Sequence, residues 1–93
     1  MLFIVSWTLE SDSRNSAMER FLKTGGRPPE GVKMLGRWHA VGRGTGFAIA
    51  ETNDLTLLQK WTLDWSDLMS MDVYPALTDE QSAALLAAAV GQH

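Results

Sequence analysis

The chain contains no cysteine. That absence excludes a disulfide framework, a thiolate metal centre and a cysteine nucleophile together, and it fits a reducing compartment. Histidine is almost as scarce, and only His39 lies away from the last position. With no carboxylate at ligand spacing beside it, no metal site and no cofactor are expected. Positive charge is also thin. Eight lysines and arginines against eleven acidic residues leave a net charge of -3. The basic residues are scattered singly, so they match no run of phosphates and no nucleic-acid partner is expected. Long apolar runs are missing too. Met1-Leu2-Phe3-Ile4-Val5 lacks a basic leader, and Ser6, Thr8 and Glu10 follow at once. It reads as a buried strand, with no membrane partner and a cytoplasmic location expected.

What remains is an ordinary globular composition, 45% hydrophobic and 20% charged over 93 residues. It predicts one domain spanning 1–93 around one core. Leu2 to Leu9 is rich in β-branched and aromatic residues, with Phe3, Val5, Trp7 and Leu9 on one face. Ser11-Asp12-Ser13 offers capping oxygens for a helix whose stripe is Ala17, Met18, Phe21 and Leu22. Gly25-Gly26 supplies a left-handed stop, and Arg27 to Gly31 forms a loop. Asn53-Asp54 caps a second helix with Leu58, Trp61, Trp65 and Leu68 at helical spacing. Ser70 to Leu77 predicts a short strand, with Pro75 suited to an edge. Thr78-Asp79-Glu80-Gln81 is a capping box opening an alanine-rich helix through Val90.

At the centre lies a hairpin, Gly31 to Val41 and Thr45 to Thr52, joined by Gly42-Arg43-Gly44. Pairing Val41 with Gly46 sets Trp38 opposite Ile49 and Gly36 opposite Glu51. Met34, Trp38, Phe47, Ile49 and Glu51 then share a face. Lys33, Leu35, Arg37, His39, Ala48 and Ala50 share the other, and a slip of one residue would exchange them. The glycine turn joins two strands and opens no helix, so it is a hairpin turn and not a phosphate loop.

The order β-α-β-β-α-β followed by a helix predicts an α+β, ferredoxin-like fold with an extra C-terminal helix. Both helices would cover one face of the sheet. The other face, with Leu2, Ile4, Leu35, Ala48 and Ala50, calls for a partner, most simply a second copy. The spacing Trp7…Phe21-Leu22…Gly25-Gly26…Gly31-Val32-Lys33-Met34-Leu35-Gly36-Arg37-Trp38-His39…Gly46-Phe47…Trp61…Trp65 resembles a family of short bacterial domains of unknown function. That family is placed in the dimeric α/β-barrel superfamily. The resemblance implies a homodimer of two ferredoxin-like protomers packed sheet to sheet. It implies little about activity, because the superfamily holds cofactor-free monooxygenases, isomerases, haem enzymes and proteins of no assigned activity.

Two constellations carry chemistry. Trp7, Trp38, Trp61 and Trp65 are expected between the sheet and the second helix, where they either line a cavity for a small, partly aromatic molecule or simply fill the core. Glu51, His39 and Arg37 are the candidate catalytic residues. Glu51 would be a carboxylate held against indoles, His39 a proton shuttle and Arg37 a clamp for developing charge. The bland alternatives are a strand-end glutamate in solvent, and hydrogen bonds at a sheet edge or interface for the other two. The expected function is a ligand-binding or scaffold homodimer. Its competitor is a cofactor-independent enzyme using His39 or Glu51 for proton transfer.

Overall fold

The computed structural model describes residues 1–91. Its elements are β1 (Leu2–Leu9), a short 3-10 turn (Ser11–Ser13), α1 (Arg14–Thr24), β2 (Lys33–His39), β3 (Thr45–Glu51), α2 (Leu55–Trp65), β4 (Met69–Ala76) and α3 (Asp79–Gly91). The strands form one antiparallel sheet in the order β2-β3-β1-β4. This is the α+β, ferredoxin-like arrangement that the element order predicts, and Pro75 sits on an edge strand, where a missing N–H costs least.

The core lies between the sheet and α2. Phe3, Val5, Ala48 and Ala50 meet Leu58, Trp61 and Trp65 from the helix, all buried. The spacing 58, 61, 65 puts these three on one stripe. Helix α1 is seated less deeply. Ala17 is buried, but Met18 is 46% exposed and Leu22 81%, so the stripe over 17–22 closes only in part.

Local signals hold the ends. The Asp54 carboxylate accepts from the Thr56 hydroxyl (2.6 Å) and the Thr56 N–H (3.0 Å), which caps α2 and holds the acid below its usual pKa. The Thr78 and Gln81 side chains each accept from the other's backbone N–H, at 3.1 and 2.8 Å. Gly25 adopts φ 75 and donates to the Phe21 carbonyl at 2.7 Å, a left-handed stop that a side chain would strain. The start of α1 departs from expectation. Residues 11–13 wind into the 3-10 turn, and Ser13 makes no side-chain capping bond.

The hairpin is where sequence and structure part. Trp38 pairs with Phe47 and His39 with Gly46, two residues from the expected register, and a bulge between Met34 and Gly36 shifts the strand again. A shift of two keeps the set Trp38, Phe47, Ile49 and Glu51 together, while the bulge moves Met34 to the opposite face. The side assigned to each set is reversed. Ala48 and Ala50 are fully buried beneath the helices, opposite Val5 and Phe3 of β1. The helix-free face instead carries Ile4, Ile49, Trp38, Phe47 and Tyr74. The reason is room: β3 runs through the middle of the sheet under α2, where alanines let the indoles of Trp61 and Trp65 reach down.

Candidate functional site

A cavity of about 380 Å³ opens between the sheet and the two helices. Its floor is a row across all four strands: Met71, Trp7, Gly46 and His39 are successive partners. Met69 and Leu9 form the row beside it. Met18, Phe21 and Leu22 of α1 and Trp61 and Trp65 of α2 line the other side, which α1 covers only in part. The wall is apolar and soft, made of indole, phenyl and thioether groups that adapt to a flat ligand.

Gly46 makes the floor possible. A Cβ there would lie 2.6 Å from Trp7 Cε2 and 2.8 Å from the Trp38 carbonyl oxygen. Because it is absent, the Trp7 indole lies across β3 and meets His39 edge to face, with ring centroids 5.8 Å apart. His39 meets Phe21 in the same way at 5.6 Å, so the imidazole bridges the sheet to α1 at the cavity wall.

Arg37 borders the same cavity but is already engaged. Its guanidinium donates to the carbonyls of Gly26 (2.6 Å) and Gly25 (3.0 Å) and stacks over Phe21 at 4.7 Å. Burial lowers its pKa, yet an arginine stays charged. The group therefore ties the end of α1 to β2 by capping carbonyls that the helix leaves unpaired. The two N–H groups so used are not available to steady charge at a substrate.

Of the seven residues singled out from the sequence, Trp7, Trp61, Trp65, His39 and Arg37 line the cavity. Trp38 and Glu51 are corrected. Trp38 stands 58% exposed on the helix-free face, its indole lying over Gly36. Glu51 is exposed on that face too, opposite Leu2 and Lys33. Both follow from the reversed hairpin, and neither is a carboxylate or an indole of the cavity. Sequence reasoning passed over Gly46, Phe21 and the methionines. The signal for Gly46 was a glycine inside a strand without a turn, which marks a close approach.

An ion pair ties α1 to the turn that follows α2, beside the cavity. Arg20 and Asp67 meet bidentately, both contacts at 2.8 Å, and Arg20 also donates to the Asp64 carbonyl at 2.9 Å and lies 5.4 Å from the Trp65 ring centre. The hydrogen bonds from Arg20 hold the Asp67 carboxyl below its usual range. Among the described residues, no group of three potential ligands converges on a metal position, and no helix is long and apolar enough to cross a membrane.

Among curated proteins no sequence matches this one. Among solved structures the chain is similar to a protein from Deinococcus radiodurans described as a candidate antibiotic biosynthesis monooxygenase. The identity is 9% and the TM-score 0.47, with 84% of this chain and 94% of that one covered. The family model of DUF3303, a domain of unknown function, matches residues 1–90, and the chain belongs to that family.

Proposed function

We propose that this domain binds a small, planar, partly aromatic molecule in the cavity between its sheet and helices. One observation carries the reading: three of the four tryptophans, with Phe21 and three methionines, surround open space instead of packing it shut. Core indoles without a ligand to hold would close up, because protein interiors approach crystal density. The few polar groups on the wall, His39 above all, would orient the guest. Titration with 2-naphthol should quench tryptophan emission saturably. Trp61→Ala should weaken the affinity about tenfold or more, the usual penalty for losing a buried aromatic contact. Trp38→Ala, on the other face, should leave it unchanged. Linear quenching without saturation would remove the binding reading and leave a scaffold.

Catalysis without a cofactor is the second reading, and the place of His39 at the cavity wall favours it. A proton-moving imidazole should accelerate exchange of the acidic C–H of 2-tetralone into D2O, with His39→Gln abolishing the effect. Exchange at the buffer rate would leave the domain a binder.

The helix-free face leads to a further part of the proposal. Trp38, Phe47, Tyr74 and Leu35 are each about half exposed there or at its β2 rim, and Ile4 is 36% exposed. A contiguous apolar surface of this kind marks an interface, and a second copy of this chain is its occupant. Sedimentation equilibrium at micromolar concentration should show a dimer, and Phe47→Glu a monomer.

A further inference from the structure

The third helix has no business being alone. From Ala83 to Val90 it presents eight consecutive apolar residues over more than two turns. Yet Leu85, Leu86 and Val90 are 66, 63 and 74% exposed, and nothing in α3 is buried. A helix that is apolar all round is a buried helix. Thirteen residues are also marginal as an isolated helix in water, even when rich in alanine. The protomer offers α3 no seat. It leaves β4 after the two-residue joint Leu77-Thr78, and the Thr78–Gln81 capping box fixes its direction.

We propose that α3 is a clasp that packs on the second copy of the chain, against the β2 side of its helix-free face at Leu35 and Trp38. This rests on the homodimer reading above. Buried area supports it. The exposed parts of Ile4, Leu35, Trp38, Phe47 and Tyr74 come to about 500 Å² per protomer, taking large side chains at roughly 150–250 Å² each. Two such patches facing each other bury about 1,000 Å², short of the range for a stable interface. Adding Leu77, Leu85, Leu86 and Val90 brings the total to about 2,000 Å² or more, within the range of lasting homodimers. Length agrees. Thirteen residues make a helix of about 20 Å, and the outer strands of a four-stranded sheet lie roughly 15 Å apart. A helix leaving the β4 edge of one copy therefore reaches the β2 edge of the other. The alanines at 83, 84, 87 and 88 keep its surface low enough to lie close to a sheet.

The cysteine-free chain makes the test clean. Chains carrying Leu86→Cys and, separately, Trp38→Cys are mixed, exchanged and oxidised. A disulfide between the two different chains is the expected product. A Leu86→Cys chain that pairs only with itself would put α3 against its twin and overturn the proposal. A doubly substituted chain that closes only within itself would place α3 on its own sheet and overturn it as well. Sedimentation separates this from the reading beneath it. Leu85→Glu with Leu86→Glu should raise the dimer dissociation constant at least tenfold, with far-UV dichroism losing no more than the helicity of α3 and 2-naphthol quenching unchanged. A dimer of unaltered affinity would dispose of the clasp and keep the homodimer. A parent chain that is monomeric would dispose of both.

Discussion

Replacing Gly46 by alanine adds one methyl group where the structure has no room for it. The new Cβ would stand 2.6 Å from Trp7 Cε2 and 2.8 Å from the Trp38 carbonyl oxygen, both closer than real Cβ contacts come. The indole can swing aside, but the carbonyl belongs to the paired strand, so β2 and β3 must also spread. Overpacking of this kind costs about 1–3 kcal/mol. Against it, alanine restricts the unfolded chain and recovers about 0.5–1 kcal/mol. The net is a loss of about 1–2 kcal/mol, which in a domain of this size lowers Tm by on the order of 10 °C. Thermal and urea melts followed by circular dichroism measure it. Gly91→Ala, with no atom within 4 Å of its Cβ, is the control expected to change little. A second readout follows from the geometry: the displaced Trp7 indole moves into the cavity and loosens its edge contact with His39, so 2-naphthol should bind more weakly. If Gly46→Ala melts with the parent and binds the probe equally well, the row Met71–Trp7–Gly46–His39 is not the floor of the site, and the reasoning fails.

Arg37→Met keeps the apolar stem but strands the carbonyls of Gly25 and Gly26, which become dependent on water; urea melts should show a loss of about 1–2 kcal/mol, discounted for the partial exposure of the pair, and Arg37→Lys should recover little because one ammonium does not reproduce the fork. The Arg20–Asp67 pair sets a pH dependence. The folded pKa of Asp67 lies below its unfolded value. Its stabilising effect is therefore complete above the unfolded carboxylate range, near pH 4, and is lost as pH falls through the lower folded pKa. Melts between pH 5 and 2 should show a shallower acid decline in Asp67→Asn than in the parent, and added salt should narrow the difference, since the pair is at the surface.

Much of the architecture was legible in the chain because local chemistry speaks for itself. Phe3, Val5, Trp7 and Leu9 share one face of β1 as the alternation predicts, Gly25 stops α1, and Thr78 with Gln81 opens α3. The helix stripe Leu58, Trp61 and Trp65 is buried as its spacing predicts. The side of the hairpin was not legible. Both of its faces are apolar, so alternation sorts residues into two sets without saying which set faces the helices. Size is a misleading guide here, since the large Trp38 and Phe47 lie outside and the small Ala48 and Ala50 inside. The bulge at Met34–Gly36 leaves no mark beyond a glycine, and it alone separates Met34 from Trp38. The site inherits these features. Trp7, Trp61 and Trp65 meet as the patterns of β1 and α2 predict, whereas the reversal of the hairpin carries Trp38 and Glu51 away from the helices and brings His39 and Arg37 to the cavity. The role of Arg37 depends on carbonyls eleven and twelve residues away, which only the folded chain brings within reach.

The claim that the cavity is a binding site is tested most directly by the four indole N–H resonances of the domain, followed by NMR as 2-naphthol is added. Saturable shifts are expected at Trp7, Trp61 and Trp65, with Trp38 unmoved on the far side of the sheet. Shifts at Trp38 alone, or no saturable shift at any of the four, would contradict it.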